Sequence, residues 1–387
     1  MDFSVFFTKS EWVNSPEMEF SASQLMRHTV FYDGDEEQLE HAKVAIIGVC
    51  DARGNSSRGG TTTSPDAFRK WFYPLYVHDE KVGIVDLGDI HPGEQLSDTY
   101  YALSQTCEAL IKRNIIPLII GGSQDLTYAN YMAYEKLEQT INVVTIDARL
   151  DFGSQTEVHH RNYLNRIVLH KPNYLFNYSN IGHQRYLVDK DLLNLVGNMY
   201  FDAYRLGDMQ GNMHRAEPVL RNADLVSFDM SSIRMSEAPG TSYAGPNGFY
   251  GEEAAQLCKY AGLSDKLTSF GIYELHPEED LGGQAAHLAA QMAWCFIEGV
   301  SQRKGDYPTG DYREYTKFIV PMLQEGHELV FYKSPKSDRW WMDVPYPAGQ
   351  EKRYERHHLV PCSLEEYQQA TNEEMPDRWW KTYQKLV

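Results

Sequence analysis

Apolar positions in this chain gather into short unbroken runs. "KVAIIGV" (43–49), "VGIVDLG" (82–88), "IIPLIIGG" (115–122), "INVVTID" (141–147), "ADLVSFDM" (223–230) and "TSFGIYEL" (268–275) are each of strand length and rich in β-branched residues, and most have a Gly or an Asp at their last or last-but-one position. Runs without period-two alternation predict strands covered on both faces. Between them, "LSDTYYALSQTCEALIKRN" (96–114) and "GEEAAQLCKYAGL" (251–263) carry apolar residues at three- and four-residue spacing, which predicts amphipathic helices. Buried strands alternating with such helices imply βαβ units, hence a three-layer α/β/α fold with a mainly parallel central sheet. Ligand sites in such sheets lie beyond the carboxyl ends of the strands. Asp147, Asp151, Asp229, Glu274 and the loop "GGSQD" (121–125) are therefore expected to converge on one edge.

The texture changes near residue 305. "DYPTGDYREYTKF", "FYKSPKSDRWWMDVPYPAGQEKRYERHH" and "MPDRWWKTYQKLV" are dense in Tyr, Trp, Pro and charge, with little period outside "SLEEYQQATNE" (363–373). Three parts are expected: a segment 1–40 packed on the core, an α/β domain 41–304, and an irregular aromatic-rich extension 305–387 ending in a helix.

Composition narrows the partners. Of 387 residues 42% are apolar, enough for a large core, and the formal net charge is −18. That charge excludes a sequence-independent grip on nucleic acid or anionic lipid, which needs an excess of Lys and Arg. Cys50, Cys107, Cys258, Cys295 and Cys362 are scattered with no paired motif, the usage of a reducing compartment. The first residues lack the basic region of a signal peptide, and no run approaches the ~20 apolar residues of a membrane span. A cytoplasmic protein with small-molecule or protein partners, and without membrane insertion, is expected.

The stretch "VVTIDARLDFG" (143–153) brings two carboxylates around an arginine. Strand-end carboxylates suit hard cations such as Mn²⁺ and Mg²⁺, whereas single aspartates after strands commonly cap helices. Three at successive strand ends favour a shared site.

In order along the chain, "GVCDARGNSSRGGTTTSPDAFR" (48–69), "DLGDI" (86–90), "GGSQDLTY" (121–128), "DARLD" (147–151), "SFDMSSIRM" (227–235), "APGT" (238–241), "GFYGEE" (248–253) and "YELHP" (273–277) resemble the landmarks of the arginase, agmatinase and formimidoylglutamase family. "NIGHQRY" (180–186) is most similar to the formimidoylglutamase branch. The resemblance spans about Val44 to Ala293 and implies an arginase-like fold. It also implies a homo-oligomer and, in intact members, two Mn²⁺ ions held by two histidines and four aspartates for hydrolysis of guanidinium or formimino C–N bonds.

Asp147, Asp151 and Asp229 match ligand positions of that pattern. Gln124, Arg149 and Ser231 stand where it has His, His and Asp, and Arg234 stands where it has a trailing Asp. One metal position keeps three carboxylates plus an amide; the other keeps two shared carboxylates. Arg149 cannot lose its proton, so it is expected either to pair with these aspartates in place of the metals or to point into solvent. The expectation is thus no cofactor, with one Mn²⁺ at Asp147, Asp151 and Asp229 as the alternative. The protein then reads as a pseudoenzyme with a binding, assembly or scaffold role. A formimidoylglutamase-like hydrolase using a reduced site, or one relocated onto Asp125, His159, His160 or His183, is the competing reading. Glu274 matches the family's carboxylate that pairs with substrate nitrogen, and with His159 and His160 it marks the expected ligand pocket.

Overall fold

The computed structural model describes residues 4–10, 19–55, 60–78, 82–153, 159–241, 243–308, 312–322, 326–350 and 354–387. Arg58, of the Asn-x-x-Arg-Gly element, lies outside them. The predicted runs form six strands of one all-parallel sheet: β2 (Ala42–Val49), β3 (Gly83–Ile90), β4 (Ile116–Gly121), β5 (Ile141–Ile146), β8 (Leu225–Asp229) and β9 (Ser269–Tyr273). Three further strands complete it, β1 (Thr29–Phe31), β6 (Leu175–His183) and β7 (Asp202–Arg205), in the order β1-β3-β2-β4-β9-β8-β5-β6-β7.

Helices cover both faces, as the run pattern requires. Helices α2 (Ser64–Phe72), α9 (Gly251–Gly262) and α10 (Gln284–Ser301) pack on one side, where Val44, Ile46, Leu118, Val226 and Phe270 point. On the other lie α3 (Leu96–Lys112), α4 (Leu126–Lys136) and α5 (Tyr163–Leu169), receiving Ala45, Ile47, Val85 and Ile119. Successive residues of β2 thus feed opposite cores, which is why its sequence shows no polar alternation. Among the described residues no helix is long and apolar enough to cross a membrane.

A buried charge cluster ties α2 to β3. Arg69 is fully buried and forks onto Asp86 (2.8 and 3.0 Å), while its other nitrogen reaches Asp89 (2.7 Å). Tyr73 donates to the same Asp86 carboxylate. Such a pair survives burial only because every charge is answered nearby.

The extension is more regular than its composition suggested. Residues 305–387 contain a four-stranded antiparallel sheet, β10 (Thr316–Met322), β11 (His327–Lys333), β12 (Trp340–Asp343) and β13 (Leu359–Cys362), followed by helices Leu364–Thr371 and Asp377–Leu386. The strands are short, β10 is largely exposed and carries Pro321, and long aromatic and charged side chains mask the alternation. Arg221 docks this sheet on the core, donating to the carbonyls of Trp340 and Cys362 (both 3.1 Å) beneath the Trp341 ring. Arg356 and Lys266 both address the buried Asp224 (2.5 and 3.7 Å).

Replacing Arg69 by Met would leave Asp86 and Asp89 buried without their cation. Urea denaturation should show Arg69→Met destabilised by about 3–5 kcal/mol; a loss under about 1 kcal/mol would contradict this role for the cluster.

Candidate functional site

Four adjacent strands, β4, β9, β8 and β5, end at one point and bring Gln124, Glu274, Asp229 and Asp147 together, with Asp151 following in the loop after β5. All five side chains are buried. Gly122 lets the loop after β4 pass the opening loop closely, since a Cβ there would lie 1.9 Å from the Asp51 carbonyl oxygen. The freed carbonyl of Gly122 accepts the Glu274 N–H (2.8 Å). Glu274 itself sits at φ 64°, left-handed backbone that a non-glycine residue adopts at a cost of ~1 kcal/mol or more. Its neighbours hold it there in order to aim the carboxylate.

Glu274 has three donors: the backbone N–H of Gln124 (2.9 Å), Nδ2 of Asn55 (2.9 Å) and Nε2 of His276 (3.3 Å). Burial alone would raise its pKa, but the His276 bond, the His160 and His276 rings and the Gln124 N–H outweigh it and bring the value down to about 2. Glu274 is therefore an anion at neutral pH.

The three aspartates behave oppositely. Burial is the main cause in each case: Asp147 is raised, and Asp151 and Asp229 are raised well above the ordinary range, because the charge on Asp147 adds to burial at both. Asp147 and Asp151 lie close enough for each to influence the other's protonation. Asp147 also accepts the backbone N–H of Arg149 (2.8 Å), and Asp229 that of Ser231 (2.6 Å). These turn-closing bonds satisfy one oxygen of each carboxylate; they do not neutralise the set.

Arg149 does not supply the missing charge. Among the described residues no ion pair joins its half-buried side chain to a carboxylate, and its contribution to Asp147 is the backbone N–H together with a favourable field. The expected fork from Arg149 onto the aspartates is corrected accordingly. Gln124 takes the central position instead. In one amide orientation Nε2 donates to Asp151 (2.9 Å) and Asp229 (3.1 Å) while the oxygen accepts from the Tyr163 hydroxyl (3.2 Å). In the other, Nε2 reaches Ser227 Oγ (3.4 Å) and the amide oxygen faces the carboxylates. Arg234 turns away, lying over the Tyr250 ring at 3.3 Å.

His160 lies beside this cluster, its Nδ1 at 3.1 Å from the Gly54 carbonyl, and burial lowers its pKa, as it does that of His159. The two rings are 4.1 Å apart. Asp125 is fully buried, bonded by the Tyr100 hydroxyl and pushed up to about 7 by burial. His183, at the end of β6, donates its backbone N–H to Asn180 and has no side-chain partner at Nδ1.

Sequence reasoning missed several residues that shape the site. Asn180 clamps the loop after β5 through the carbonyls of Asp147 (3.2 Å) and Arg149 (2.9 Å). Asn55, Tyr163 and His276 hold Glu274 or Gln124. Asn55, Asn180 and His276 each fall inside a motif that signalled the family, and that proximity was the only signal available.

The donor chemistry fits one hard cation. Three buried carboxylates carry unanswered charge, and Gln124 can turn an oxygen toward them, giving an all-oxygen set. The present geometry is not yet a coordination shell: among the described residues no three His, Cys, Asp or Glu side chains are arranged to hold an ion. With its nitrogen toward the aspartates Gln124 bridges Asp151 and Asp229, so holding an ion through its oxygen requires the other amide orientation.

The Arginase family model matches residues 42–298. Formimidoylglutamase of Staphylococcus epidermidis is 26% identical over 314 residues, covering 74% of this chain and 97% of that protein; the Staphylococcus aureus enzyme is 26% identical over 278 residues, covering 66% and 86%. Trypanosoma cruzi formiminoglutamase solved with Mn²⁺ superposes with a TM-score of 0.65 at 20% identity, covering 73% of this chain and 99% of that one. Bacillus subtilis formimidoylglutamase gives 0.66 at 19%, covering 75% and 96%. The expectation of no cofactor is corrected by the Mn²⁺ with which such a neighbour was solved. The chain belongs to the arginase family.

Proposed function

We propose that this protein is a formimidoylglutamase-like member of its family that holds a single divalent cation at Asp147, Asp151 and Asp229 with the Gln124 amide oxygen. In this reading it binds a small amidinium ligand against Glu274 and has lost the two-metal hydrolysis. The observation that carries it is the asymmetry of the donor set. One ligand position retains three carboxylates and an amide, while the other is left with Asp147 and Asp229 beside Arg149 and Ser231. A cation there would neutralise the aspartates and supply Lewis-acid polarisation. Glu274, ionised and held by three donors, can pair with the N–H edge of an amidinium group, while burial keeps water from competing.

A second reading, hydrolysis of linear amidines with that single cation, draws on the similarity to formimidoylglutamases and on Glu274, which matches the family's substrate-pairing carboxylate. One experiment separates the two: metal analysis of the dialysed full chain, with assays on formiminoglutamate, arginine and agmatine in excess Mn²⁺. One equivalent of Mn²⁺ and no turnover above the protein-free rate are expected. Turnover abolished in Asp229→Ala would establish the hydrolase reading, and two equivalents, or none, would overturn both.

The raised aspartates also predict a pH dependence. A carboxyl whose folded pKa is raised binds its proton more tightly when folded, so stability falls as pH rises from the unfolded value through the folded one. In EDTA, thermal stability should decline above about pH 4 for this reason, and Asp151→Asn should recover about 2 °C or more at pH 8 with no gain at pH 3.5. Equal loss of stability at both pH values would contradict it.

A further inference from the structure

Gln124 stands at the centre of the acid cluster, and little of it is free to move. Its backbone N–H donates to Glu274 (2.9 Å), and its carbonyl accepts the N–H of Thr127 (2.9 Å) in the first turn of α4. The side chain is buried. What remains is the turn of the amide about its terminal bond, a soft torsion with two settings of nearly the same shape. The neighbouring groups therefore decide which atom faces the aspartates.

Two hydroxyls pull the amide in opposite directions. With Nε2 toward Asp151 and Asp229, the amide oxygen accepts from the Tyr163 hydroxyl (3.2 Å). With the oxygen toward the aspartates, Nε2 instead reaches Ser227 Oγ (3.4 Å), itself 2.7 Å from Thr127 Oγ1. A hard cation can use only the second setting, because it takes oxygen ligands and the amide's NH₂ is a donor. The Tyr163 bond belongs to the first. Tyr163 opens α5 and is fully buried in one apolar cluster with Tyr131, Tyr134, Phe152 and Tyr178, which leaves its ring little room to swing aside.

We propose, on the single-cation reading above, that Tyr163 is a positioning residue that sets the cation affinity of this site. Its hydroxyl latches the Gln124 amide with nitrogen toward the aspartates, and an ion binds only when that latch opens and the oxygen turns inward. The ion thus competes with a hydrogen bond instead of entering a preformed shell. Removing the hydroxyl takes a bond from the ion-free setting, whereas the ion-bound setting keeps Ser227 as the partner of Nε2.

Calorimetric titration with Mn²⁺ of the full chain and its Tyr163→Phe variant, both stripped with EDTA and dialysed, tests this together with thermal unfolding in EDTA and in saturating Mn²⁺. The variant should bind Mn²⁺ about fivefold more tightly, the worth of one net hydrogen bond. Its melting temperature should fall below that of the natural chain in EDTA and match it in Mn²⁺. Folding of the variant only when Mn²⁺ is present would be the same result in stronger form. Equal or weaker Mn²⁺ binding by the variant, an equal loss of melting temperature in both buffers, or failure to fold in either would overturn the latch and leave the single-cation reading standing. No Mn²⁺ binding by either protein would overturn that reading and the latch with it.

Discussion

Three carboxylates carried to one buried point, without an ion-paired cation among the described residues, are the constraint on which the site turns. Two unit charges about 4 Å apart interact by several kcal/mol at intermediate dielectric, and burial adds to the repulsion by removing water. Asp147, Asp151 and Asp229 answer in the same direction, each holding its proton more tightly than a free carboxyl. Glu274 stands close by and does the opposite, because three donors converge on it. A single buried cluster thus holds one committed anion and a set of acids awaiting positive charge.

The scaffold explains why these groups meet. Parallel strands release their carboxyl ends on the same edge, and the order β4-β9-β8-β5 sets four site-bearing ends side by side although they are far apart in sequence. Rigid support lies behind them: Arg69 answers Asp86 and Asp89 inside the core, and Arg221, Arg356 and Lys266 fasten the C-terminal sheet to it. Glu274 can then be held in left-handed backbone, a strain that a looser frame would release.

Much of this was legible in the sequence where the signal was local. Six buried runs became six adjacent parallel strands, because a strand covered on both faces cannot alternate. β6 escaped notice since its buried positions include Asn177, Ser179 and Asn180, polar residues whose partners include Asp202 and Thr145 of the neighbouring strands. The antiparallel C-terminal sheet was hidden by exposed aromatic and charged side chains. At the site, the aspartates and Glu274 were visible as strand-end acids, and the family pattern marked Gln124, Arg149 and Ser231 as departures. Both histidine positions were legible as Gln124 and Arg149, but which of them would meet the aspartates was not: Arg149 makes no ion pair with them among the described residues, and Gln124 sits between Asp151 and Asp229. Sequence gives the identity of a residue after a strand but not the direction its side chain takes.

Anomalous diffraction at the manganese edge, from crystals of the full chain soaked in Mn²⁺, tests whether the three aspartates hold an ion. One peak is expected, bounded by Asp147, Asp151, Asp229 and the Gln124 amide oxygen, with Arg149 outside its coordination shell. Two peaks, or no peak with Arg149 folded onto the aspartates, would contradict it.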